Sequence, residues 1–175
     1  MKFFFLPLIF CLGFNNLIFS RTDSIPAKPR DVESIDAIIK ALYDVISGPA
    51  GEMRNWDRMR TLFLPEAIMV PTGYKRNDTA FYKVINPETY IAVIGPGLIK
   101  AGFFETEISH KTEQYGNIAQ VFSTYESRNK KEDLKPFMRG INSIQLWYSG
   151  SRWYIVSIIW LGETPSNPLP SKYLN

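Results

Sequence analysis

Apolar positions fall at helical spacing near the start of the chain and alternate in its second half. Val32, Ile35, Ile38, Ile39, Leu42, Val45 and Ile46 form one stripe. That spacing predicts a helix capped by Asp31 and running to about Ser47, ended by Gly48-Pro49-Ala50-Gly51. A shorter helix is expected around Trp56, Met59, Arg60 and Phe63, stopped by Leu64-Pro65. Residues 67–72 suit a strand, 73–78 a polar loop and 81–85 a short strand. Asn86-Pro87-Glu88 supplies a cap, a first-turn proline and an acid near the positive helix end. It should open one helix over 87–101, kinked where Pro96 cannot donate to the carbonyl of Ala92.

The rest reads as strands: 103–115, a Gly116-Asn117 turn, 118–128, then 139–148 and 152–163 joined by Ser149-Gly150-Ser151. Strict alternation in the last strand puts Trp153, Ile155, Ser157, Ile159 and Leu161 on one face. Tyr154, Val156, Ile158 and Trp160 fall on the other. Both sets are largely apolar, so the strand is expected to be central and covered on both sides. Helices first and a long antiparallel meander after them predict an α+β domain, with the sheet bent around the N-terminal helices.

Residues 1–20 have a different pattern. Lys2 precedes an unbroken apolar run, Asn15 and Asn16 interrupt it, and Ser20 offers a small residue for cleavage. This is the order of an export signal, and it is shorter than the roughly 20 apolar residues a membrane helix needs. The alternative is a retained single anchor. Cys11, the only cysteine, lies inside this segment, and the bulky Phe10 before it argues against lipid attachment. Cleavage would leave a periplasmic or secreted chain with no disulfide or thiolate chemistry and no further membrane segment. Residues 21–30 read as a linker, 31–163 as one domain and 164–175 as a proline-rich arm.

A length of 175 residues supports one domain with a sizeable core. The net charge of +3 comes from bases scattered among acids, which gives no basic face for nucleic acid. With one histidine and no mature cysteine there is no zinc spacing, and no phosphate loop or Gly-x-Ser-x-Gly elbow occurs. Neither a metal nor another cofactor is therefore expected. Asn77-Asp78-Thr79 fits the glycosylation triplet, which matters only in a eukaryotic secretory pathway. Aromatic residues make up 14% of the chain, enough to call for large buried or pocket-lining surfaces.

Four runs carry a family likeness: GPAGEMRNWDRMRTLFLPEAIMV (48–70), GFFETEI (102–108), YGNIAQVFSTYESR (115–128) and RGINSIQLWYSGSRWYIVSIIWLGE (139–163). Residues 31–163 resemble the nuclear transport factor 2-like superfamily, also called SnoaL-like or ketosteroid-isomerase-like. They are similar in particular to an exported branch of it without assigned activity. The resemblance implies a cone: a curved sheet around a long helix, with a pocket at the wide end. It does not fix a function, because the superfamily holds isomerases, dehydratases, cyclases and transport factors.

Within that frame His110, Glu105 and Tyr125 are the candidate catalytic groups. His110 is either a general acid–base or an exposed strand histidine. The resemblance would give it an aspartate partner, but Asp57, Asp78 and Asp133 do not match that position. Glu105 and Glu107 are expected on one face with Ser109, Lys111 and Glu113. Glu105 is then either a buried carboxylate paired with Tyr125 as hydrogen-bond donor, or part of a solvated face. Trp56, Phe104, Tyr125, Arg139, Trp160 and Glu163 are the expected ligand-binding residues. Arg139 could equally serve the fold by pairing with Glu105 or Glu163. Three functions remain open: a binding or accessory domain for a small apolar or amphipathic ligand, a cofactor-free lyase or isomerase, and an interaction module. Homodimer formation through the sheet face is expected, with no nucleic acid and no membrane as partners.

Overall fold

The computed structural model describes residues 25–76 and 79–174. The expected signal, Cys11 and the first two residues of the glycosylation triplet lie outside the described residues. Among the described residues no helix is long and apolar enough to cross a membrane.

The N-terminal helical stripe is divided. A short helix α1 (Pro29–Val32) precedes α2 (Ile35–Ile46), whose cap is Ser34, accepting from the Ala37 amide at 3.1 Å. Asp31 does not cap α2. Its carboxylate is buried and takes two bonds from Arg58, at 2.7 and 3.0 Å. The Arg58 guanidinium holds it below the usual carboxylate range. Ile38, Ile39, Leu42 and Val45 put the stripe of α2 into the core. Burying each such side chain contributes about 1.5–3 kcal/mol relative to exposure.

The turn after α2 is organised by Arg54, itself buried. Its guanidinium donates to the carbonyls of Ile46 at 3.1 Å, Pro49 at 3.3 Å and Leu98 at 3.2 Å, and also to those of Gly48 and Glu52. One cation thus satisfies carbonyls left over at the C-terminal ends of two helices. Helix α3 (Trp56–Arg60) follows, capped by Asn55. The expected helix over 87–101 is two helices, α4 (Pro87–Val93) and α5 (Gly95–Ala101). The break falls just before Pro96, whose ring prefers the first turn of a new helix to the interior of an old one.

Among the described residues six strands form one sheet in the order β2-β1-β6-β5-β4-β3. They are β1 (Phe63–Tyr74), β2 (Ala80–Tyr82), β3 (Phe104–Tyr115), β4 (Ile118–Arg128), β5 (Met138–Tyr148) and β6 (Trp153–Gly162). Of the five pairings among these strands the β1–β6 pairing is parallel and the other four are antiparallel. Strand β1 starts earlier than the expected residue 67, carrying Pro65 across an irregularity between Phe63 and Ile68. The inner face of the sheet packs on α2 and the outer face points away from it.

Two bulges overturn the strict alternation read from sequence. One lies between Glu107 and Ser109, so Glu105, Glu107 and His110 face inward. Ser109, Lys111 and Glu113 fall on the other face rather than with the two glutamates. The second lies beside Gln145 and Leu146, where Val156 is the unpaired residue. It places Trp153, Ile155, Ile158 and Trp160 together on the inner face and Tyr154, Ser157, Ile159 and Leu161 outside. Within the single chain β6 is therefore covered on one side: Ile155 is 0% exposed and Ile159 is 45%. The C-terminal arm folds back on the outer face, where Tyr173 packs on Phe122 at 5.0 Å and its carbonyl accepts from Thr124 Oγ1 at 2.7 Å.

Candidate functional site

Between α2, the α4–α5 pair and the inner face of the sheet is a cavity of about 260 Å³. That is just below the usual range of ligand pockets, roughly 300–1,000 Å³. Its wall is mostly aliphatic and aromatic, with Leu42, Met69, Leu98, Phe103, Ile158 and Trp160 among its members. Trp160 meets Tyr90 edge to face, with centroids 6.4 Å apart and planes at 77°. The polar groups reaching this wall are the side chains of Glu105, Tyr125, Asn142 and Tyr90, together with the Trp160 indole.

Glu105 is the second residue of β3, opposite Ser127 on β4. Ser127 Oγ donates to one carboxyl oxygen at 2.9 Å and Asn142 Nδ2 to the other at 3.4 Å. Among the described residues no lysine or arginine lines the cavity. Burial pushes the Glu105 carboxyl up to about 7, against the downward pull of the Ser127 and Asn142 hydrogen bonds. The group is thus poised between its two protonation states near neutral pH.

Tyr125, opposite Gly140 in the β4–β5 ladder, is 1% exposed. Its hydroxyl is the one buried side-chain polar atom among the described residues without a hydrogen-bond partner. Burial raises its pKa, and the charge of Glu105 adds to the effect. Tyr90 is raised for the same reasons, with Tyr125 contributing. Leaving a buried hydroxyl unsatisfied costs about 1–3 kcal/mol, so the position is one a ligand atom can complete.

Of the residues singled out from sequence, the structure brings Glu105, Tyr125 and Trp160 together in the cavity wall. The others stand elsewhere. Trp56 packs on Gly95, where an added Cβ would meet its ring at 2.9 Å. Phe104 faces outward beneath Lys131, 5.5 Å from its ring, and Phe103 takes the inward position. Arg139 and Glu163 form a bidentate pair at 2.8 and 3.0 Å outside the lining, and Glu163 also accepts from the Leu169 amide at 3.2 Å. That pair anchors the C-terminal arm. His110 is also outside the lining, with Nδ1 3.0 Å from Glu107 Oε2 and Nε2 3.8 Å from Asp36 Oδ1. Asp36, from α2, is the aspartate that sequence reasoning did not consider for this histidine. Among the described residues no group of three His, Cys, Asp or Glu side chains is placed to hold a metal.

Asn142, Ser127 and Tyr43 were not singled out from sequence. A signal for two of them was present: Asn142 sits two residues from Ile144 on an apolar face, and Ser127 two residues from Tyr125. A polar residue on an inward row needs a partner, and several such residues on adjacent strands point to one another.

No family model matches the chain. No curated protein matches it either. Solved structures do resemble it. One is a protein of unknown function with a cystatin-like fold from Nostoc punctiforme, 12% identical, with a TM-score of 0.58 over 83% of this chain and 100% of that one. Another is a nuclear transport factor 2-like protein from Cytophaga hutchinsonii, 11% identical, with a TM-score of 0.54 over 73% of this chain and 97% of that one. A third is the Kfla4162 protein of Kribbella flavida, 9% identical, with a TM-score of 0.54 over 75% and 90%. At such identities the likeness concerns the fold, and the protein has the nuclear transport factor 2-like, cystatin-like cone fold.

Proposed function

We propose that this protein binds a small, mainly apolar molecule in the cone, with one polar group of the ligand placed between Tyr125 and Glu105. The observation that carries this reading is the unpartnered Tyr125 hydroxyl in a cavity walled mainly by apolar side chains. Such a hydroxyl is complemented by a carbonyl, ether or hydroxyl oxygen, while the apolar wall favours a ring or short chain behind it. The absence of a cation from the lining disfavours carboxylates and phosphates as the ligand's head. Heat-stability shifts across a metabolite library at pH 6 to 8 test it, since a ligand of the native state raises its apparent stability. Stabilisation by uncharged apolar compounds is expected. A screen flat for that class sinks the reading.

A second reading, acid–base chemistry of the lyase or isomerase kind, is favoured by one observation: Glu105 is held at about 7 beside a hydroxyl donor. Binding hits incubated in deuterated water with the protein would exchange a carbon-bound proton, and Glu105→Gln would stop the exchange. Hits that bind but never exchange would leave the binding role alone.

We also propose that the mature chain is exported, on the pattern of residues 1–20, and that it pairs with a second copy through the outer sheet face. Ile159 at 45% and Ile118 at 56% exposure support the pairing. Light scattering that finds monomer at high concentration would remove it.

A further inference from the structure

A line of side chains leads from Glu105 away from the cavity to the partly exposed Glu107 and His110. Asn142 Nδ2 donates to Tyr43 Oη at 3.1 Å as well as to Glu105. Tyr43 Oη is 2.6 Å from Ser123 Oγ, and Ser123 donates to Glu107 Oε1. The other oxygen of Glu107 is 3.0 Å from His110 Nδ1. Tyr43, Ser123 and Asn142 are each buried and come from α2, β4 and β5, so three elements converge on this line.

With Glu107 a carboxylate, the direction of each hydrogen bond from Ser123 to Asn142 is forced. A carboxylate only accepts, so Ser123 spends its proton on Glu107. Ser123 must then accept from Tyr43, which leaves the Tyr43 oxygen to accept from Asn142. The Asn142 amide consequently turns its donor, not its carbonyl, toward Tyr43 and Glu105. We propose that Glu107, acting through Ser123, Tyr43 and Asn142, is a positioning residue that sets from outside the cavity lining which face of the Asn142 amide Glu105 sees. The cavity carboxyl is thereby tuned by a group no ligand in the cone touches. This deepens the reading of Glu105 as the polar end of the cavity and rests on it.

The titratable groups facing Glu105 are Tyr43 from α2, Tyr90 from α4 and Tyr125 from β4, with Glu107 and then His110 further along β3 and Asp36 of α2 beyond His110. A direct charge effect and the hydrogen-bonded line predict opposite signs. Removing the negative charge of Glu107 through space would make Glu105 easier to ionise and lower its midpoint. Replacing the carboxylate by an amide instead gives Ser123 a donor as well as an acceptor. The line can then reverse, Asn142 can present its carbonyl to Glu105, and the midpoint rises.

The test is a carbon-13 carboxyl titration of the full mature chain without ligand, with Glu105→Gln identifying the signal. Glu107→Gln is expected to raise the Glu105 midpoint by about 0.3 unit or more, roughly a factor of two in the ionisation constant. In a Tyr43→Phe background, where the line is cut, the same change should leave the midpoint unmoved or lower it. A fall or no change in Glu107→Gln alone overturns the proposal. So does a rise that survives Tyr43→Phe. Because no ligand is present, either failure leaves the binding reading to its own screen.

Discussion

The hydroxyl of Tyr125 lies over Gly140, so close that a Cβ on Gly140 would stand 2.5 Å from it. The same Cβ would stand 2.4 Å from the carbonyl oxygen of Leu161. The glycine in the Arg139-Gly140 pair is therefore what lets the tyrosine ring come this close to the β5 backbone. Backbone on one side and a buried ring on the other leave an added methyl nowhere to go.

Gly140→Ala should accordingly destabilise the fold by about 1–3 kcal/mol, the usual cost of overpacking a core. It should also displace Tyr125 and abolish ligand-induced stabilisation. Urea unfolding with and without a screening hit reads both. Wild-type stability with unchanged ligand response would show that the close approach is not structural.

Glu105 makes the stability of the protein depend on pH in a definite direction. Its ordinary value is 4.5 and burial raises it to about 7. Between those values the folded chain holds a proton that the unfolded chain has released. Its contribution is complete below about pH 4.5 and is lost as pH rises through 7, up to about 3 kcal/mol in all. Glu105→Gln removes this dependence, so the variant should gain on the wild type as pH goes from 5 to 8. Melting curves at the two ends measure it, and a constant difference would contradict the shifted carboxyl.

Asp31 and Arg58 act in the opposite sense. The Asp31 side chain is 4% exposed, and Arg58 holds it ionised below the ordinary 3.8. Its contribution is present above 3.8 and disappears as pH falls through the lower folded value. Arg58→Met leaves a buried carboxylate without its partner and should cost about 3 kcal/mol at neutral pH. Adding Asp31→Asn should restore part of the loss. Denaturant midpoints of the three variants check this, and a single-variant cost below about 1 kcal/mol would mean that the pair is solvated.

The pattern of apolar positions reads out most of the fold. Helical spacing in 32–46 and turn residues at 116–117 and 149–151 place the main helix and the meander. What it could not supply is the face on which each side chain falls. One extra residue at Ile108 and another at Val156 reverse the alternation, and nothing in the local sequence marks a bulge. Strict alternation therefore groups Lys111 with Glu105 and separates Ile158 and Trp160 from Ile155. Tyr125 and Trp160 were legible as wall residues because large aromatics on central strands need a core. The roles of Asn142 and Tyr43 were not, because they depend on contacts across 99 residues of chain, from Asn142 to Tyr43. Arg139 and Glu163 show the converse: a charged pair that suits a ligand in sequence serves an arm in three dimensions.

Tyr125→Phe carries the central claim, because it separates stability from binding. Removing an unsatisfied buried hydroxyl should leave the ligand-free protein as stable as the wild type or up to about 2 kcal/mol more stable. The same change removes the donor that an apolar ligand's polar group would use. The direct measurement is the melting temperature of wild type and variant, each with and without the strongest uncharged hit. The account predicts a ligand-free variant that melts no lower than wild type yet responds at least several-fold less to the ligand. An equal ligand response in both proteins, or a ligand-free variant clearly less stable than wild type, would contradict it.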